Sequence, residues 1–83
     1  MLPDRQHQVR VRANFDGEVE ILVRLGERVY AGQPLAIIEG TGQLERLAAR
    51  KPASVTQVLV QSGVEVKEGT LLVVLQEDVE AEN

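Results

Sequence analysis

The side chains able to do chemistry in this 83-residue chain are few and scattered. His7 is the only histidine. It sits in a polar lead-in without the partners that metal binding or general-base work would require, so it reads as an exposed side chain. There are no cysteines, which removes disulfides, thiolate nucleophiles and Cys/His zinc pairs together. Ser54, Ser62, Thr41, Thr56 and Thr70 have no adjacent base to activate them, so nucleophilic catalysis lacks its second member. Glu39 and Glu45 flank a glycine-rich segment and could be read as an acid pair. A domain this small offers no cleft to raise a carboxylate pKa, and solvated charges are the better reading. Gly40-Thr41-Gly42 is glycine-rich, but neither a Lys nor a helix start follows it as a phosphate-binding loop demands. The residues therefore point to no catalysis and no metal site. What remains is contact chemistry. Tyr30, beside a turn, is a candidate contact residue, and Phe15 is either a core filler or an exposed anchor.

The body that must position these groups is small. It is 43% hydrophobic and 27% charged, one domain by length, and a chain of this size buries only about 60% of its unfolded surface. Val, Leu and Ile supply 26 residues, 13 of them Val, which with so few aromatics favours half-buried strands. No apolar run approaches the ~20 residues of a membrane span, and the N-terminus lacks the apolar core of a signal peptide, so the chain reads as cytoplasmic. The net charge is −4. Residues 77–83 hold four acids and no base, whereas residues 9–76 hold eight of each. The expected organisation is a disordered lead-in over 1–8, a neutral domain over 9–76 and a disordered acidic tail over 77–83. With no basic run and no aromatic platform, nucleic acid is excluded as a partner. Arg10/Arg12 and Glu18/Glu20 are expected to pair across neighbouring strands on a solvated face.

The hydrophobic period is two. Val9, Val11 and Ala13 alternate with Arg10, Arg12 and Asn14, and after the Asp16-Gly17 turn Val19, Ile21 and Val23 alternate with Glu20 and Arg24. Leu22 interrupts the polar face, which predicts that the strand is covered on both sides there. Further strands are expected over 28–30, 34–39, 55–60, 64–66 and 71–76. Leu44, Leu47 and Ala48 fit helical spacing, and a strand over 43–49 returning from a hairpin fits as well; the strand is adopted, giving eight in all. The sequence also repeats at an offset of 37. Leu22-Val23, Gly26, Val29, Gly32 and Leu35 recur as Leu59-Val60, Gly63, Val66, Gly69 and Leu72, and Ile21, Ile37 and Ile38 recur as Val58, Val74 and Leu75. The glycines mark chain reversals and the Val between them plugs the core. Neither copy can bury its apolar face alone, so the two must pack together with quasi-twofold symmetry. The fold class is all-β.

These stretches resemble the biotinyl/lipoyl domain family. The matching elements are Ala13-Asn-Phe-Asp-Gly-Glu-Val19, Leu25-Gly-Glu-Arg-Val-Tyr-Ala-Gly-Gln-Pro-Leu-Ala-Ile-Ile-Glu39, Lys51-Pro-Ala-Ser-Val-Thr-Gln-Val-Leu-Val-Gln-Ser-Gly63 and Val66-Lys-Glu-Gly-Thr-Leu-Leu72. The resemblance implies a barrel-sandwich hybrid of two four-stranded antiparallel sheets. In carrier members the Glu equivalent to Glu39 opens a hairpin whose tip Lys, in Ala-Met-Lys-Met or Asp-Lys-Ala, takes biotin or lipoate through an amide. Here the same segment reads Glu39-Gly-Thr-Gly-Gln-Leu-Glu45, and the attachment position falls on Gly42. Lys51 and Lys67 lie outside this segment and read as surface charges. The hairpin segment also runs about two residues longer than in carriers, with a shorter turn after it.

The resemblance thus implies a module without a covalent cofactor that acts through protein contacts. The contact surface would be the tip, Gly40, Thr41, Gly42 and Gln43, or an exposed sheet edge, with Tyr30 a further candidate contact residue. A carrier domain of a carboxylase or acyltransferase complex is the alternative. Neither the partner nor the oligomeric state can be read from the residues.

Overall fold

The computed structural model describes residues 7–78. Eight strands form two layers, the chain changing layer at every connection except the β4–β5 hairpin: β1 (His7–Arg12), β2 (Gly17–Ile21), β3 (Arg28–Val29), β4 (Pro34–Gly40), β5 (Gln43–Ala48), β6 (Ala53–Val58), β7 (Glu65–Val66) and β8 (Leu71–Glu77). One four-stranded sheet has the order β1-β8-β6-β3 and the other β5-β4-β2-β7. Every pairing is antiparallel. Exchanging the two halves of the chain turns one order into the other. This is the barrel-sandwich hybrid expected from the sequence.

Leu35, Ile38, Leu72, Leu75, Val19, Val29, Val55 and Val73 are all fully buried; alternation accounts for Val19, Val55, Ile38, Val73 and Leu75, whereas Leu35 and Leu72 sit at register shifts in β4 and β8. Val29 and Val66 are the expected plugs, 1% and 7% exposed. Each follows a glycine turn, and Gly26, Gly32, Gly63 and Gly69 all have φ between 87° and 93°, a region closed to side chains without strain. Residues 43–48 are strand, not a helical turn.

Backbone hydrogen bonds repeat the symmetry one by one. Gly26 N–H donates to Val55 O at 2.7 Å and Gly63 N–H to Val19 O at 2.8 Å. Leu22 N–H donates to Leu35 O and Leu59 N–H to Leu72 O, both at 2.9 Å. Gly32 N–H reaches Ala49 O at 2.7 Å, and Gly69 N–H reaches Ala13 O at 2.8 Å. The repeat therefore extends back to Ala13/Ala49 and Val19/Val55, at an offset of 36 rather than 37. The difference is a bulge: β6 shifts register against β8 between Val55 and Gln57, whereas β2 runs against β4 without interruption. Thr56 is the extra residue, and its hydroxyl donates to Val74 O at 3.2 Å.

Three sequence expectations are corrected. First, β1 begins at His7 and β8 runs through Glu77, which pairs with His7 and is only 5% exposed. Asp78 is also held, by two hydrogen bonds from the Arg28 guanidinium at 2.9 and 2.7 Å. That bond, with the Arg28 charge, lowers the Asp78 pKa and raises that of Arg28. The described strands thus run past both 9 and 76. The rest of the lead-in and tail lies outside the described residues. Second, Arg10 and Arg12 do not pair with Glu18 and Glu20. β1 and β2 belong to different sheets; Arg10 lies opposite Val74, and Arg12 donates to Gly69 O at 3.0 Å. Third, Leu22 is not covered on both sides. It follows the last paired residue of β2, where the chain crosses to the other sheet, and is 40% exposed.

Candidate functional site: the hairpin tip

β4 and β5 are joined by a two-residue loop. Gly40 pairs with Gln43, leaving Thr41 and Gly42 at the turn. Gly42 has φ 72°, and among the described residues none other than glycine has positive φ, a combination that fits a type II turn. Thr41, Gly42 and Gln43 are exposed. A Cβ at Gly42 would meet nothing within 4 Å, so the position is sterically open and constrained by backbone alone.

Gly40 is the opposite case. A Cβ there would lie 2.8 Å from Asp16 O and 3.1 Å from Phe15 Cε1. Gly17, at the start of β2, is equally closed, since its Cβ would lie 2.6 Å from Glu39 O. The β1–β2 loop therefore presses against the root of the hairpin, and Phe15 is part of that brace, partly buried against the core. Asp16 ties in a third element by accepting a hydrogen bond from Glu68 N–H at 2.8 Å. The tip is an exposed two-residue turn on a closely packed base.

The remaining candidates separate. Tyr30 is 75% exposed, but it precedes Pro34, where β4 begins, so the seven residues of β4 put it about 20 Å from the tip. Lys51 lies beyond the far end of β5, between β5 and β6. Lys67 follows β7, which pairs with Gly17 and Glu18; it shares the tip's end of the sheet but sits on a different turn. That turn is fixed by Lys67 N–H donating to the Thr70 hydroxyl at 3.2 Å and Thr70 N–H donating to Lys67 O at 3.0 Å.

Glu39 and Glu45 do not form an acid pair. Glu39 faces Leu44, and Glu45 faces Ile38, so alternation sends them to opposite faces of the hairpin. Glu39 instead stands directly across from Glu18, which stands across from Glu65. This row of three carboxylates on the outer side of β4, β2 and β7 was hidden in the sequence, because only register reveals it. Among the described residues no group of acids, His or Cys is arranged to hold a metal ion.

The hydroxyls of Ser54, Ser62, Thr56 and Thr70 are committed to structure. Ser62 Oγ accepts from Ile21 N–H at 2.7 Å, and Ser54 Oγ accepts from Arg28 at 3.0 Å. No helix among the described residues is long and apolar enough to cross a membrane.

The family described as biotin-requiring enzyme matches residues 9–75. No curated protein matches the chain. Among solved structures, the chain is similar to a single-chain, multi-domain long-chain acyl-CoA carboxylase, with TM-score 0.78 and 27% identity over 98% of this chain and 8% of that one. It is similar to the urea carboxylase of Kluyveromyces lactis, with TM-score 0.72 and 25% identity over 90% of this chain and 6% of that one. The ectoine utilization protein EutE (DoeB) of Ruegeria pomeroyi is also similar, with TM-score 0.67 and 26% identity over 83% of this chain and 22% of that one. The chain thus spans under a quarter of the length of each. With a family match over most of its length and the two-sheet architecture to accompany it, the chain belongs to the biotin/lipoyl domain family.

Proposed function

We propose that this domain is a non-catalytic interaction module that carries no covalent cofactor. One observation supports the reading: the exposed turn of the β4–β5 hairpin consists of Thr41 and Gly42. A biotinyl or lipoyl group joins its carrier through an amide, which needs a primary amine on a long stem, and neither residue supplies one. The tip as built does not fit the group. The contact surface would be Gly40–Gln43, a rigid turn whose ordering cost is met before a partner arrives. Tyr30, at the other end, would belong to a separate contact. A cytoplasmic location goes with the same proposal.

The test is the intact mass of the 83-residue chain after co-expression with a biotin ligase and, separately, a lipoate ligase. An unmodified mass in both cases is expected. A mass increase matching either group overturns the proposal.

Likeness to two carboxylases favours the other reading, a carrier domain altered at its tip. It predicts that Gly42→Lys, with Thr41→Met and Gln43→Met, becomes a ligase substrate. Gly40 must be left in place in that variant, because Asp16 O closes the space above it. A folded variant that stays unlabelled refutes the carrier reading.

A further inference from the structure

We propose that the surface centred on Leu22 and Leu59 is a self-association face, on which a second copy of this chain docks about a twofold axis lying in the interface. The alternation of β2 continues past its last paired residue. Val19 and Val23 are buried, whereas Glu20, Leu22 and Arg24 are exposed, so an acid, a leucine and a base line up at every second position on one outward stripe. The other half of the chain repeats the stripe as Gln57, Leu59 and Gln61, all exposed.

The two stripes run side by side in opposite directions. Gly63 N–H donates to Val19 O at one end and Gly26 N–H to Val55 O at the other, so Leu22-Val23 crosses Leu59-Val60 midway between these anchors. Leu22 and Leu59 thus flank the internal pseudo-twofold, 40% and 47% exposed. A shallow open depression lined by Ile21 to Glu27 adjoins them, and Leu25 stands exposed on its rim. The interruption of the polar pattern at Leu22, which in sequence predicts cover on both sides, is left uncovered by the monomer.

Charge identifies the occupant. When two such faces stack with their stripes antiparallel, Leu22 meets Leu22 of the second copy, Glu20 meets Arg24, and Arg24 meets Glu20. Gln57 and Gln61 then face each other, with no like charges opposed. The stripe is its own complement in this orientation. The parallel arrangement would set Glu20 against Glu20 and Arg24 against Arg24, and like charges at an interface are strongly disfavoured. The face is small against the ~800 Å² that each partner contributes to a standard interface, so the dimer is expected to be weak, with Kd on the order of 0.1 mM.

Sedimentation equilibrium of the full chain from about 10 μM to 1 mM, at low ionic strength, tests this. The wild type should pass from monomer to dimer over that range. Glu20→Arg and Arg24→Glu should each weaken association about tenfold or more, and the double exchange should restore it, since the complementarity is then only reversed. Leu22→Asp with Leu59→Asp should abolish it while the far-UV spectrum and melting transition show a folded domain. A wild type that is monomeric throughout overturns the proposal and leaves the face to some other molecule. A dimer indifferent to the Leu exchanges, or a double charge exchange that fails to restore pairing, also overturns it.

Discussion

Replacing Gly40 by Ala adds one methyl group at the root of the hairpin, where the structure leaves no room for it. The nearest atom, Asp16 O at 2.8 Å, is backbone, and Phe15 Cε1 and Cδ1 follow at 3.1 and 3.2 Å. A flexible side chain could swing aside at little cost. A carbonyl cannot, because Asp16 is itself held through Glu68 N–H, and Gly17, next in the chain, is closed over Glu39 O at 2.6 Å. Accommodating the methyl therefore means moving β2 and β4 apart at a point where they are hydrogen-bonded neighbours. Overpacking of this kind costs about 1–3 kcal/mol. For a domain of this size that is a fall in Tm of roughly 4–8 °C per kcal/mol.

The control is a larger side chain two residues away. Gly42→Asn adds more atoms, but a Cβ there meets nothing within 4 Å, and Asn tolerates the left-handed backbone that φ 72° imposes. It should cost well under 1 kcal/mol. Urea unfolding followed by far-UV circular dichroism gives both values from midpoints at a common slope. The order expected from side-chain size is thus reversed, with Ala at position 40 worse than Asn at position 42. If Gly40→Ala falls within about 0.5 kcal/mol of wild type, the range of ordinary surface substitutions, the hairpin base is not braced by the β1–β2 loop and the rigid-tip argument fails.

Two further outcomes follow from packing and register. Val29→Ala and Val66→Ala should each destabilise by about 1–3 kcal/mol, with Val66 slightly cheaper because it is 7% rather than 1% exposed; thermal melts that differ widely would refute an energetically symmetric core. Glu18→Gln should stabilise the domain by about 0.4–1 kcal/mol, since it relieves two directly opposed like-charge pairs. The gain, measured by urea unfolding, should shrink as salt is added.

The fold was legible because its information is local. Strand period, the position of each turn glycine and the duplicated Gly-x-x-Val-x-x-Gly spacing all lie in single short stretches, and the positive φ at Gly26 and Gly63 is what such spacing demands. The repeat became legible only from Ile21 onward because one bulge residue, Thr56, changes the offset from 36 to 37 and puts the earlier positions out of step. Strand ends differ from the sequence pattern for another local reason. Burial in the crossing segments 22–24 and 59–60 keeps its period of two after the ladder has stopped, so pattern alone cannot separate a strand from its extension. Tyr30 and the tip are both candidate contacts because both lie next to turns of the first copy; β4, one full strand, holds them apart.

Charge is where sequence order and spatial order diverge most. Counted along the chain, Arg10, Arg12, Glu18 and Glu20 make a balanced cluster that neighbouring strands would neutralise. The connection after β1 instead leads into the other sheet, which parts them. Arg10 then shares an outer face with Gln8 and Gln76, whereas Glu18 shares one with Glu39 and Glu65. Residues 9–76, with equal numbers of acids and bases, thereby acquire an acidic row beside the hairpin tip, while Arg10 stands on the opposing sheet. Separated charges of this kind add little to stability, because exposed charges are screened within about 8 Å at physiological salt. They do orient an approaching charged surface and suppress wrong partners. A partner of the tip would meet the row of Glu18, Glu39 and Glu65 first, so its contacting side is expected to be basic. The self-association face at Leu22 lies where Glu20 and Arg24 stand two positions to either side, so it is the local order of charges, not the polarity of the whole domain, that sets its orientation.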